Sequence, residues 1–169
     1  MLSGLEHSHY VTDKNTGHSY GPVYDELCAP IRQSAKAVLE IGVYNGDSLR
    51  MWRDYFPNAE VHGLDIMPQR MFTEERITTH LGSQDDPKVL RKVGRRGPFD
   101  LIVDDGSHRS EHQFTSLLYL WQFLRTGGVY VIEDIQEPGP LLQLLPGWCR
   151  DLRQVKGVYD DVLVILRKE

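Results

Sequence analysis

With 169 residues, of which 40% are hydrophobic and 25% charged, the chain has the make-up of one soluble globular domain, which excludes a disordered or fibrous protein. Its 19 basic against 24 acidic residues leave a net charge of −5 and no global attraction to nucleic acid or an anionic membrane, so neither is expected as a partner. Cys28 and Cys149 lack metal-ligand or redox spacing, no apolar leader follows Met1, and no run reaches transmembrane length; a reduced, cytoplasmic protein is expected.

The first 24 residues are polar and rich in His and Tyr. They are expected to build no core and to form an arm, either a loose end or a lid, ahead of a single domain over 25–169. From Ala37 onward, short apolar runs bounded by Gly, Pro, Asp or Asn predict strands at Ala37 to Gly42, Glu60 to Asp65, Ile77 to Leu81, Phe99 to Asp105 and Gly128 to Glu133. Such near-continuous hydrophobicity suits parallel strands covered on both faces. Asp47 to Tyr55 opens on a candidate N-cap and sets Leu49, Trp52 and Tyr55 on one face, while Ser110 to Leu124 opens Ser-Glu-His-Gln, a capping-box pattern; both read as helices. Trp148 to Val155 and Val158 to Leu166, separated by Lys156-Gly157, read as an antiparallel hairpin closing one edge. There is no internal repeat or linker. The expected fold class is α/β: a doubly wound, Rossmann-like, mainly parallel sheet with a C-terminal antiparallel hairpin.

The chemistry concentrates at strand ends. Phe99-Asp100-Leu101-Ile102-Val103 runs into Asp104-Asp105-Gly106-Ser107-His108, and Gly127-Gly128-Val129-Tyr130-Val131-Ile132 runs into Glu133-Asp134. Parallel neighbouring strands would bring these four carboxylates to one rim, where they repel unless a cation sits among them. Glu40-Ile41-Gly42-Val43-Tyr44-Asn45-Gly46 is a glycine-bearing turn of nucleotide type, though not GxGxxG, and a bare strand-to-helix turn is its plain alternative. Asp65 follows this turn at about the spacing at which an acid accepts from ribose hydroxyls, the alternative being a helix cap. Gly82-Ser83-Gln84-Asp85-Asp86-Pro87 offers amide and carboxylate groups to an adenine edge, or simply an N-cap with Pro beside it. His112, four residues after His108, raises a His-x-x-x-His metal site as a rival, disfavoured by the hard oxygen ligands around it. Glu137 approaches the same rim or opens a helix in solvent. Trp52, Trp121 and Trp148 read as packing residues.

Together, Glu40-Ile41-Gly42 through Gly46, Gly63-Leu64-Asp65, Gly82-Ser83-Gln84-Asp85, Asp104-Asp105-Gly106-Ser107-His108 and Gly127-Gly128 through Glu133-Asp134 resemble the class I S-adenosylmethionine-dependent methyltransferases. More narrowly, the chain resembles the magnesium-dependent macrocin and mycinamicin sugar O-methyltransferases. The resemblance implies S-adenosylmethionine and Mg2+ as cofactors. Glu40, Gly42 and Gly46 would shape the pocket for the methionine portion, Asp65 would hold the ribose, and Ser83, Gln84 and Asp85 would border adenine. Asp105, Glu133 and Asp134 would bind the metal, with Asp104 nearer the cofactor and His108 as general base. The stretch Thr12-Asp13-Lys14 to Tyr24 resembles the family segment that folds over the cofactor, which makes Lys14, His18, Tyr20 and Tyr24 candidate contacts.

A sugar hydroxyl is scarcely ionised at neutral pH. A carboxylate-bound magnesium ion that orients two neighbouring oxygens, with an imidazole of pKa about 6.5 as base, is suited to that difficulty. The expected activity is thus magnesium-dependent O-methylation of a sugar hydroxyl, on a small-molecule glycoside, a polysaccharide end or another polyol. The alternatives are a phenol or catechol acceptor and a cofactor-binding module without catalysis; related sequences also include cephalosporin hydroxylases. The relatives' additional N-terminal domain helps to enclose the substrate, so a homo-oligomer, a dimer, is expected to complete the pocket here.

Overall fold

The computed structural model describes residues 10–12, 14, 18–136, 138–145, 151–155 and 162–169. Among them eight strands form one sheet: β1 (Ala37–Ile41), β2 (Glu60–Asp65), β3 (Thr73–Glu74), β4 (Ile77–Leu81), β5 (Phe99–Asp104), β6 (Leu124–Ile132), β7 (Asp151–Gln154) and β8 (Val162–Arg167), in the order β3-β4-β2-β1-β5-β6-β8-β7. The pairs β2·β4, β1·β2, β1·β5 and β5·β6 are parallel, whereas β3, β8 and β7 join antiparallel. Helices α1 (Gly21–Cys28), α2 (Asp47–Tyr55), α3 (Pro87–Gly94), α4 (Ser110–Leu120) and α5 (Pro138–Leu144) complete the described elements.

Alternation along each strand divides the core into two layers. Val38, Val61, Leu101, Val103 and Val131 pack toward Leu27 of α1 and Leu49 and Trp52 of α2. Leu39, Ile41, Ile102 and Ile132 pack on the other face toward Leu90 of α3, Leu117 and Leu120 of α4 and Leu141 of α5. The expected doubly wound sheet is therefore present, and every residue of β1 and β5 is buried. Each such aliphatic side chain contributes about 1.5–3 kcal/mol on burial. Among the described residues no helix is long and apolar enough to cross a membrane.

Several local expectations are corrected. Tyr20 and Tyr24 are fully buried core residues, and α1 starts at Gly21, so the polar N-terminal stretch does contribute to the core. The N-cap of α2 is Gly46, with φ +82°, and Asp47 is the first helical residue. The capping box at Ser110 does not form: Arg109 is the N-cap, without a side-chain cap, and Gln113 is buried with its amide donating to the Glu133 carbonyl at 3.2 Å. Helix α4 ends at Leu120, and a 3-10 turn over Trp121–Phe123 leads into β6, which starts at Leu124 rather than Gly128. The C-terminal antiparallel pair is present as β7 and β8, with β8 against β6 and β7 on the edge. Trp148, Cys149 and the Lys156-Gly157 turn lie outside the described residues.

The chain builds from β1 outward through β2 to β4, then returns to place β5 on the other side of β1. Such a reversal leaves a crevice beyond the carboxyl ends of the strands, the usual ligand position in open α/β sheets.

Candidate active site

A cleft of about 610 Å³ occupies that crevice, its wall including Gly42, Asp65, Ser83, Gln84, Asp105 and His108. The turn after β1 is forced to be glycine. Gly42 has φ +97°, and a Cβ there would stand 2.0 Å from the Asp105 carbonyl oxygen, so a side chain would separate β1 from the end of β5. Asp65, at the end of β2, accepts from the Val43 N–H at 2.9 Å and the Met67 N–H at 2.8 Å, and Arg70 Nη1 lies 3.1 Å from its Oδ2. Burial pushes its carboxyl up, but these donors outweigh burial and hold it below the ordinary aspartate value. The Arg70 guanidinium also lies over the exposed Tyr44 ring, 5.3 Å from its centroid.

The two acid pairs at the ends of β5 and β6 divide. Asp104 is fully buried; its Oδ1 accepts from Gln84 Nε2 at 2.9 Å and its Oδ2 from Ser116 Oγ. Burial pushes this carboxyl up to about 7, against the opposing pull of the Ser116 and Gln84 hydrogen bonds. Asp105 faces the cleft, and one ligand atom each of Asp105, His108 and Asp134 lies within 4.8 Å of the others. Glu133 is not in that group: it is buried, and its oxygens accept from Lys14 Nζ, at 2.8 Å, and from the Tyr24 hydroxyl. Tyr20 donates to Asp134 Oδ1 at 2.7 Å, and His18 Nε2 lies 3.7 Å from Asp134 Oδ2. Burial raises the Asp134 carboxyl, as does the neighbouring charge of Asp105. His108 and Asp134 both have left-handed backbone, at φ +56° and +50°. Strain of this kind, about 1–3 kcal/mol per residue, concentrates at functional sites. His108 Nδ1 is buried with no hydrogen-bond partner among the described residues.

Of the residues singled out from the sequence, Gly42, Asp65, Ser83, Gln84, Asp105 and His108 share the cleft. Gly46 caps α2, and Glu40 is buried beneath the glycine turn with its Oε2 accepting from Ser48 Oγ at 2.7 Å. Asp104 lies behind Gln84 rather than on the cleft wall. Asp85 stands at the rim, its Oδ2 3.5 Å from His112 Nε2. His112 lines the cleft against Ser107 Oγ, at 2.9 Å, and is outside the Asp105–His108–Asp134 group. Lys14 and Tyr20, expected at the cofactor, meet the acids instead. Glu137 lies outside the described residues. Sequence reasoning passed over Arg70, whose position beside Asp65 has no motif, and Ser116, whose helical spacing from His112 was the available signal.

A family model described as "Methyltransferase domain" matches residues 39–135. Over 126 residues, 70% of the chain, it is 43% identical to the 8-demethyl-8-(2-methoxy-alpha-L-rhamnosyl)-tetracenomycin-C 3'-O-methyltransferase of Streptomyces olivaceus. Over 142 residues, 79% of the chain, it is 41% identical to the Mycinamicin VI 2''-O-methyltransferase of Micromonospora griseorubida. The chain spans only 32% and 36% of those relatives' own lengths. It also superposes, with a TM-score of 0.74 and 34% identity, on a structure described as MycE methyltransferase from the mycinamycin biosynthetic pathway in complex with Mg, SAH and mycinamycin VI; the match covers 90% of this chain and 49% of that one.

Proposed function

Because the chain belongs to the methyltransferase-domain family, we propose that it transfers the methyl group of S-adenosylmethionine to a hydroxyl of a sugar or glycoside, with Mg2+ at the acid cluster. The observation that carries this reading is the convergence of Asp105, His108 and Asp134 at the end of the glycine-floored cleft.

The residues present fit both groups. Gly42 lines the cleft and lets β1 run close under the Asp105 carbonyl, and Asp65 offers a carboxylate held charged by its donors. Asp105 and Asp134 supply the hard oxygen ligands that magnesium takes, while Glu133 is the third acid of the expected set, held by Lys14 and Tyr24. When bound, the ion supplies the Lewis acidity that makes a sugar hydroxyl easier to ionise, and the sulfonium supplies the methyl group.

The chain's own part is proton removal and placement. His108 sits beside both carboxylates on the cleft wall, so its imidazole can accept the hydroxyl proton as that oxygen attacks. Asp105 and Asp134 then face a positive imidazolium, a favourable pairing as the proton arrives. The rigid ends of β5 and β6 fix these groups relative to the cleft, where orientation supplies much of the rate gain. The substrate class is supported by the relatives, which are named for O-methylation of a rhamnosyl-tetracenomycin and of mycinamicin VI.

The test is methyl transfer from labelled S-adenosylmethionine to a panel of rhamnosyl, deoxyhexosyl and catechol acceptors, with Mg2+ or with chelator. Glycoside methylation that needs Mg2+ and falls at least about a thousandfold in His108→Ala is expected. Methylation confined to catechols would move the acceptor class. Cofactor binding with no transfer to any acceptor would favour a binding module.

A further inference from the structure

Lys14 has no part in the chemistry proposed above, yet its ammonium is buried, 1% exposed, where three strands converge. Its Nζ lies 2.5 Å from Asp105 Oδ2, 2.8 Å from Glu133 Oε2 and 3.1 Å from Glu40 Oε1. These carboxylates come from the ends of β5 and β6 and from β1. Burial alone drives a lysine toward its neutral form, but three carboxylates reverse that and keep this one charged. Two of them connect it to different parts of the site. Asp105 belongs also to the Asp105–His108–Asp134 group, and Glu40 accepts from Ser48, on the cleft wall. Tyr20 and Tyr24, from the same stretch of chain, reach Asp134 and Glu133 with neutral hydroxyls.

We infer that Lys14 is a positioning residue that sets how tightly the acid cluster holds a divalent cation, by sharing Asp105 with the ion and standing beside it as a like charge. The inference rests on the magnesium-site reading above. A carboxylate already engaged by an ammonium gives less of its charge to a second cation, and the repulsion between the two cations is strong because the Lys14 side is closed to water. The same contacts gather the acids of three strands. Lys14 therefore organises the site at the cost of metal affinity, and the ion stays exchangeable. A purely structural pin makes the opposite prediction: its loss disorders the ligands and weakens the metal, or leaves it unchanged.

Mn2+ serves as the probe, titrated into the full chain by calorimetry and by the electron paramagnetic resonance signal of free Mn2+. Lys14→Met is expected to bind Mn2+ about tenfold more tightly or better, and Lys14→Arg, which keeps the charge, to stay within about threefold of wild type. Should Lys14→Met fail to fold, Lys14→Gln, neutral but able to donate to the carboxylates, carries the same expectation. Unchanged or weaker Mn2+ binding in a folded neutral variant would overturn the role given to Lys14 while leaving the metal site standing. Absence of Mn2+ binding by the wild type, or binding that survives Asp105→Asn, would remove the metal-site reading itself, and the inference with it.

Discussion

The ends of β5 and β6 look alike in sequence, an apolar run closed by two acids, and their buried acids meet different partners. In both pairs the outer acid, Asp105 or Asp134, joins His108. The inner acids differ. Asp104 is surrounded by neutral donors, Gln84, Ser116 and the Tyr130 hydroxyl at 3.5 Å, and its carboxyl rises to about 7. Glu133 is buried to the same extent, but it faces the Lys14 ammonium as well as the Tyr24 hydroxyl. Burial raises both carboxyls, Glu133 as well as Asp104; for Asp104 hydrogen bonds alone oppose it, whereas for Glu133 a cation from the N-terminal stretch opposes it as well. Equal burial shifts the two groups the same way, and what separates them is the partner each one meets.

The largest effect that would break this division is on turnover. Asp105→Asn is expected to lower methyl transfer by about a thousandfold or more, leaving S-adenosylmethionine affinity within about threefold, because it removes an ion ligand while a side chain of the same shape keeps the cleft wall. Asp104→Asn, one residue away, keeps its hydrogen bonds to Gln84 and Ser116 and is expected to stay within about tenfold of wild type. Steady-state rates and calorimetric titration of both variants check this. Equal losses in the two would erase the distinction between outer and inner acid.

A smaller effect separates the two inner acids by stability. Glu133→Gln leaves Lys14 with Asp105 and Glu40 but removes one of its three counter-charges, so a loss of about 2–3 kcal/mol is expected, less than the full cost of breaking a buried pair. Asp104→Asn removes no ion pair and is expected to be neutral or stabilising at pH 8. Urea unfolding at that pH compares them, and a Glu133→Gln protein as stable as wild type would mean that Lys14 is satisfied without it.

The sequence made the frame of this site legible and its wiring not. The strands could be placed because doubly covered parallel strands are continuous apolar runs, as Leu101-Ile102-Val103 shows, and the cleft followed from where those runs end. Gly42 could be marked because a glycine in a strand-to-helix turn opens the backbone to close approach; the neighbour that uses it, the Asp105 carbonyl, could not. Alternation alone could not divide either acid pair, since it sends neighbours to opposite faces without saying which face carries the site; the resemblance separated Asp104 from Asp105 but left Glu133 and Asp134 together. Lys14 reaches partners 91 and 119 residues away, and no local pattern encodes such contacts. Tyr20 and Tyr24 could be marked as candidate contacts, but their burial, Tyr24 against Trp52 and both on the acids, could not be read from a polar stretch. Arg109, not Ser110, caps α4 after the left-handed turn at His108, a shift of one residue that propensity does not resolve.

The finest test of the comparison is the pH dependence of stability. Asp104 has a folded-state pKa of about 7, raised by burial above the ordinary aspartate value of about 3.9 that the unfolded chain keeps. Between these values the native state retains a proton that the unfolded state has released. This contribution is therefore fully present below about pH 4, falls as pH rises, and is gone above about pH 7, with an upper bound of about 4 kcal/mol. Asparagine cannot ionise, so the stability of Asp104→Asn relative to wild type should climb through this window and level off near pH 8. Thermal unfolding of both proteins at half-unit steps from pH 5 to pH 8 reads the difference directly. A difference that stays constant across the range would mean that Ser116 and Gln84 hold Asp104 as a carboxylate throughout.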